Sequence, residues 1–267
     1  MSKDTRDKGS NLQLSRRRFL KGAGITAVAS AMAGSGILKL LSQAEAHEEL
    51  DNELAKRQWV MVVDLRRCDG CGLCVKACQK GHFLPEEQEW IKVYEMETTT
   101  GRTYYMPRLC MQCENAPCLR VCPVSATYKT PDGVIVVDQN RCIGCRICMA
   151  ACPYDARYFN WNDPPPAPVG LGGPRPELPV PQQKGTVGKC VFCVHNTREG
   201  KLPMCVAGCP MLALYVGDLK ADLATNGVEI VKLSMFLKDN DAVHYKGELG
   251  TRPRVYYIMG RGQTAES

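Results

Sequence analysis

The sequence predicts an α+β fold of tandem units, each a small antiparallel sheet with short helices around a cysteine-rich loop. Two observations carry this reading: an internal repeat, and cysteines in regular groups. Residues 60–78 read VMVVDLRRCDGCGLCVKAC and residues 134–152 read VIVVDQNRCIGCRICMAAC, an offset of 74 residues. Each copy has a β-branched run ending in Asp64 or Asp138, with Arg67 or Arg141 directly before the first cysteine. Such runs, bounded by turn residues, read as short strands. Small apolar runs at 124–128 and 211–216 follow two further cysteine groups. The order strand, cysteine loop, helix, strand therefore recurs.

All 16 cysteines fall into four groups of four. Group I is Cys68, Cys71, Cys74 and Cys78, and group II is Cys110, Cys113, Cys118 and Cys122. Group III is Cys142, Cys145, Cys148 and Cys152, and group IV is Cys190, Cys193, Cys205 and Cys209. Groups I and III have the C-x2-C-x2-C-x3-C run of bacterial ferredoxins. Groups II and IV stretch the middle gap and keep the final C-x3-C. Pro123, Pro153 and Pro210 follow the last cysteine of groups II, III and IV, whereas Gln79 follows that of group I.

The spacing has a physical reason. Two residues between cysteines let a loop curl around one cluster and present successive thiolates to different irons. A three-residue gap is about one helical turn, at about 3.6 residues per turn. It carries the fourth thiolate towards a second cluster, as in two-cluster ferredoxins. Groups working in pairs use eight cysteines for two clusters, so sixteen cysteines suit four [4Fe–4S] clusters. Zinc ribbons use paired C-x2-C knuckles separated by a longer loop, which three cysteines within seven residues, twice over, do not match. Disulfides suit an exported chain but give no reason for regular spacing. Only 7% of the chain is aromatic, so clusters also suit as filling for the interior.

The net charge of +6 is local. Residues 1–46 carry eight basic and three acidic residues; the remainder carries 26 and 25. The body therefore lacks the basic footprint of a nucleic-acid-binding protein. Residues 15–21 read Ser-Arg-Arg-Arg-Phe-Leu-Lys, a Gly/Ala-rich stretch runs from Gly22 to Leu38, and Ala44-Glu45-Ala46 offers a small-x-small cleavage site. This is the layout of an export signal of the twin-arginine type. The apolar stretch falls short of the roughly 20 residues a spanning helix needs, although a signal retained as a tether stays open. The twin-arginine route carries folded proteins, which suits a chain whose cofactors are inserted before export. The expected location is the periplasm or the outer face of the cytoplasmic membrane.

At its four cysteine groups the sequence resembles the iron–sulfur subunits of dimethyl sulfoxide reductase-type complexes and of nitrite, polysulfide and tetrathionate reductases and the Dsr membrane complex. The resemblance covers about residues 58–218. It extends weakly to Gly260, and Arg141-Cys142-Ile143-Gly144-Cys145, Met149–Tyr154 and Phe159-Asn160-Trp161 are especially like the exported members. It implies that group I pairs with group IV, and group II with group III. One cluster then takes Cys68, Cys71, Cys74 and Cys209, and the next Cys78, Cys190, Cys193 and Cys205. The third takes Cys110, Cys113, Cys118 and Cys152, and the fourth Cys122, Cys142, Cys145 and Cys148. Some members lack the residue equivalent to Cys145 and hold a [3Fe–4S] centre; its presence here implies four [4Fe–4S] clusters. The resemblance also implies two partners: a polytopic quinone-reactive membrane subunit, and a molybdenum-containing or haem-containing redox subunit.

The expected organisation is an export signal over 1–46, a tandem cluster domain over 47–218 and an extension over 219–267. Residues 162–187 are rich in Pro and Gly and read as a structureless connector, with a partner-gripping strap as the sharper reading. In the extension, residues 223–237 suggest a short helix and Val255–Ile258 a strand, which either dock a partner or pack on the cluster domain. His82, His195 and His244 are ligands only in principle, because cysteines already complete every cluster. Trp59, Trp90 and Trp161 read as core or interface residues. No C-x-x-C-H haem motif, dinucleotide motif or phosphate loop is present. The chain reads as a non-catalytic electron wire, with a freely diffusing periplasmic ferredoxin as the alternative.

Overall fold

Strand β1 (Trp59–Asp64) is buried along its whole length, as expected of an apolar run in the middle of a sheet. The structure, a computed structural model, describes residues 48–166, 175–260 and 262–263. The export signal expected over 1–46 and part of the connector lie outside the described residues. Among the described residues no helix is long and apolar enough to cross a membrane.

After β1 come α1 (Leu73–His82), the hairpin β2 (Ile91–Glu97) and β3 (Thr103–Leu109), and α2 (Pro117–Arg120). Then follow β4 (Thr127–Lys129), β5 (Ile135–Val137), α3 (Ile147–Ala150), β6 (Tyr158–Phe159) and β7 (Val187–Gly188). The chain continues through α4 (Val194–Thr197), α5 (Met204–Ala207), β8 (Leu214–Asp218), β9 (Leu223–Thr225), β10 (Ile230–Lys232), α6 (Leu233–Asp239) and β11 (Val255–Ile258). The main sheet has the order β10-β9-β8-β1-β11; the pairs β2-β3, β4-β5 and β6-β7 form separate ribbons. This matches the expected small sheets and short helices of an α+β fold.

Side chains alternate across a strand, and β1 uses both faces. Trp59, Met61 and Val63 enter the large core that holds most of the cysteines. Val60 and Val62 enter a second, smaller core with Tyr215, Ala224, Leu233 and Ile258. That second core consists largely of the chain after residue 219. The tail thus packs on the cluster-bearing sheet: β11 runs parallel to β1, pairing Met61 with Val255, and α6 supplies Leu233 beneath it. Within the expected helical stretch 223–237, helix begins only at Leu233, the start of α6. The first part of the expected helical stretch forms β9 and β10, because Asn226-Gly227, with Gly227 at φ +94°, turns the chain back as a hairpin.

The hairpin β2–β3 had no counterpart in the sequence reading. The connector is pinned rather than loose at its ends: Asn160 Nδ2 donates to Gln182 Oε1 at 3.1 Å, and Gln183 N donates to Gln139 Oε1 at 2.9 Å. Trp59 and Trp90 are core residues, while Trp161 is exposed.

Candidate metal centres

The four cysteine loops share one backbone device. The second residue after each first cysteine, Gly70, Gln112, Gly144 or Phe192, has positive φ. Only glycine takes that conformation freely, yet the chain adopts it in every group. The reversal is what curls each C-x2-C around a centre. A second reversal follows the last cysteine of three groups, at Ser125, Asp155 and Leu212. It turns a backbone N–H onto sulfur: Ala126 N donates to Cys122 Sγ at 3.2 Å, and Ala213 N donates to Cys209 Sγ at 3.4 Å. Ala156 donates likewise to Cys152.

Group I departs from this pattern, and Gln79 explains why. A proline disfavours helical conformation in the residue before it, and α2, α3 and α5 each stop at four residues. With Gln79 in that place, α1 runs on for ten residues. One turn beyond Cys78 it delivers His82, which is 1% exposed. His82 Nδ1 lies 3.0 Å from the Cys78 carbonyl oxygen, and Nε2 lies 3.5 Å from Cys193 Sγ. His195 packs edge-on against the His82 ring at 5.3 Å. Sequence reasoning left both histidines without a role; the available signal was the glutamine standing where the other groups have proline. His244 lies apart, its Nδ1 3.1 Å from the Val255 carbonyl.

Sheet pairing decides which groups meet. Strand β1 leads into group I and β8 leaves group IV, and their antiparallel register pairs Val63 with Leu214. Asp64 N donates to the Ala213 carbonyl at 2.8 Å. The first cysteines of group I and the last of group IV therefore emerge at one end of the sheet, and Cys68, Cys71, Cys74 and Cys209 line one cavity. The second ribbon repeats this. Strand β4 leaves group II, β5 leads into group III, Thr127 pairs with Val137, and Asp138 N donates to the Ala126 carbonyl at 2.8 Å. Cys122, Cys142, Cys145 and Cys148 line a cavity there.

The remaining cysteines meet through helices. A Cβ on Gly208 would stand 2.5 Å from that of Ala77, so α1 and α5 approach as closely as glycine allows. Cys205 faces Cys193, Cys78 and Cys190. Cys113 faces Cys110, Cys118 and Cys152. These two sets touch: Cys190 faces Cys110, and the buried Gln112 joins them, with Nε2 donating to the Cys190 carbonyl at 2.8 Å and Oε1 accepting from Ile135 N at 2.7 Å.

The donor chemistry fits clusters. Burial pushes the Cys74 thiol up to about 12, and the facing sulfurs of Cys209 and Cys68 push the same way. Burial likewise carries Cys78 and Cys205 well above their ordinary value, each with sulfurs of its set adding to the effect. Four thiolates cannot be packed this closely without cations between them, and metal binding supplies that charge by displacing the protons. An all-sulfur donor set is the one that iron–sulfur clusters use. At Cys122 burial acts upward too, yet the N–H donors of Thr127, Val124 and Ala126 outweigh it and hold the thiol below its ordinary value. The buried Lys189 donates from Nζ to the Cys190 carbonyl at 2.6 Å and acts on the Cys190 thiol against the upward push of burial.

Comparison with known proteins points the same way. Two 4Fe-4S dicluster domain models match, one over residues 58–126 and the other over 101–165 and 176–219. The chain is 35% identical to the Hdr-like menaquinol oxidoreductase iron-sulfur subunit 1 of Archaeoglobus fulgidus, covering 94% of this chain and 100% of the relative. To the menaquinone reductase iron-sulfur cluster-binding subunit of Nitratidesulfovibrio vulgaris it is 38% identical, covering 77% and 90%. To the iron-sulfur subunit of the arsenate respiratory reductase of a Shewanella species it is 33% identical, covering 76% and 96%.

Proposed function

The chain belongs to the family of iron–sulfur subunits of respiratory oxidoreductases, and from that membership we propose a specific relay. It is an electron-transfer subunit of a respiratory oxidoreductase complex, with tandem 4Fe-4S dicluster domains. We read it as holding four [4Fe–4S] clusters in a row. The relay links a quinone-reactive polytopic membrane subunit to a molybdenum-containing or haem-containing partner.

One observation carries the row: the sets are chained. Groups I and IV interleave, Gln112 and the Cys190–Cys110 contact bind that pair to the next, and groups II and III interleave in turn. In this reading the ligand sets are Cys68, Cys71, Cys74 and Cys209; Cys78, Cys190, Cys193 and Cys205; Cys110, Cys113, Cys118 and Cys152; and Cys122, Cys142, Cys145 and Cys148. A bound [4Fe–4S] cluster stores and releases one electron. The protein's part is to hold each set rigidly and to tune it. Ala126, Ala156 and Ala213 direct N–H groups at cysteine sulfurs, and hydrogen bonds, charge and solvent exposure set the potential. With every iron given a cysteine, no position stays open for Lewis-acid chemistry, which supports a non-catalytic role. The Ser-Arg-Arg-Arg-Phe-Leu-Lys segment supports folded export by the twin-arginine route to the periplasmic side.

The test is purification from native membranes in mild detergent, with mass spectrometry of the co-purifying chains and iron analysis. The expected result is a polytopic membrane subunit with a molybdenum or haem protein, and about sixteen irons per chain, one for each cysteine. Recovery of the protein alone from the soluble fraction would sink the relay and favour a diffusing carrier.

A further inference from the structure

Two arginine side chains drawn in from solvent are neutralised by carboxylates. Arg254 pairs with Glu114, and Arg198 pairs with Asp132 at 2.9 Å. Arg157 differs. It is 3% exposed, and its one hydrogen bond to oxygen runs from Nη1 to the neutral Thr127 hydroxyl at 3.2 Å. Its Nη2 is buried without a hydrogen-bond partner. Among the described residues no carboxylate forms an ion pair with it. The groups that face the guanidinium are sulfurs: Cys118, Cys148 and Cys110.

A buried charge is strongly disfavoured unless an opposite charge stands beside it. Arg157 cannot shed its proton to escape this. Its compensation must therefore come from the cysteine sulfurs. Those sulfurs belong to two different sets: Cys118 and Cys110 to the third, Cys148 to the fourth. The backbone places Arg157 there by the same device that binds sulfur. Asp155 has positive φ, Ala156 donates to Cys152, and the next residue is Arg157, which enters the gap just before β6.

We propose that Arg157 is a positioning residue whose charge, shared between the third and fourth clusters, raises both reduction potentials together. This rests on the ligand sets given above. Reduction makes a cluster more negative, and a fixed cation in a medium of low dielectric favours that form. Arg157 would face ligands of both sets, and a one-electron exchange between them, one centre oxidised as the other is reduced, would move no bond or proton at the guanidinium. A single charge acting on both shifts them in the same direction, so the step between them changes little.

The experiment is potentiometric titration of the membrane-purified complex, followed by electron paramagnetic resonance, for wild type, Arg157→Gln and Arg157→Lys. In Arg157→Gln, two of the cluster signals should become harder to reduce by tenfold or more, about 59 mV for a one-electron couple, while the others stay. Arg157→Lys, which keeps the charge, should restore most of the shift. Full cluster content with all potentials unchanged in Arg157→Gln overturns the proposal. Should Arg157→Gln lose its clusters, Arg157→Lys decides: clusters with near-wild-type potentials support the charge, and their loss there too makes Arg157 a packing residue. A wild-type complex with fewer clusters than four would instead break the ligand assignment, a distinct outcome.

Discussion

Arg198 grips Asp132 at two points, with Nε donating to Oδ2 at 2.9 Å and Nη2 donating to Oδ1 at 3.1 Å. Asp132 is fully buried and also accepts from Trp59 Nε1 at 3.1 Å. It sits in the turn between β4 and β5, Arg198 closes α4, and Trp59 opens β1. One carboxylate thus ties the group II–III half to the group I–IV half.

We expect Asp132→Asn to destabilise the cluster-loaded protein by about 2–4 kcal/mol, since it removes the two-point charge partner of a partly buried guanidinium and leaves it only Glu177, at 3.7 Å. Anaerobic thermal unfolding measures this. Burial alone would raise the Asp132 carboxyl, but Arg198, with Thr130 and Trp59, outweighs it and holds the group below its ordinary 3.8. A depressed carboxyl stabilises the fold above that value, and the benefit fades as pH falls through the folded pKa. The gap between wild type and Asp132→Asn should therefore narrow below pH 3.8. A gap that stays constant there would show that the charge of Asp132 is irrelevant.

Cluster sharing between distant groups has a direct test. Cys68→Ser and Cys209→Ser should perturb the same paramagnetic signal, although 141 residues separate them. Cys78→Ser and Cys205→Ser should both perturb a different one. Separate signals for Cys68 and Cys209 would refute the interleaving of groups I and IV.

Cys145 is exposed and lines the fourth set's cavity. Replacing it with Ser should lower iron content and alter the fourth cluster's signal alone. Unchanged iron and unchanged spectra would count against its assignment as a ligand.

Gly144 and Gly72 differ in what they tolerate. A Cβ on Gly144 would stand 2.1 Å from the Gly185 carbonyl oxygen, at φ +68°, so Gly144→Ala should disrupt the loop and lose the fourth cluster. Gly72 has the same φ of +68° and nothing within 4 Å. Its counterpart in the repeat, Arg146, already carries a side chain at φ +62°, which lies over Trp161 at 4.8 Å. Gly72→Ala should then cost only the left-handed strain of about 1–2 kcal/mol and keep its cluster. Iron analysis of the two variants separates these outcomes.

Much of this protein was legible in its cysteines because ligand spacing and loop curvature are local. The repeat at 60–78 and 134–152 announced strand, loop and helix, and β1, α1, β5 and α3 overlap it. The hairpin β2–β3 escaped, because its strands pair only with each other and no cysteine spacing runs through them. The roles of Gln112, Arg157 and His82 escaped for another reason. Each reaches a cysteine of another group, and only His82 has a local mark, in Gln79. The conformational half of the signal was partly visible in Gly70 and Gly144, but invisible at Gln112 and Phe192, which adopt positive φ without being glycine.

By itself the sequence determined that thiolates come in fours, since two- and three-residue gaps fix where successive sulfurs point. It also determined, by placing proline after three groups and glutamine after one, that one helix would outrun the others. Only the tertiary structure decided which sulfurs meet. That choice belongs to strand register: pairing Val63 with Leu214 and Thr127 with Val137 brings loops from far along the chain to a common end. Hydrogen-bonded pairing across such separations carries no local imprint, so spacing alone left the sets open, and the family resemblance had to imply what strand register accounts for.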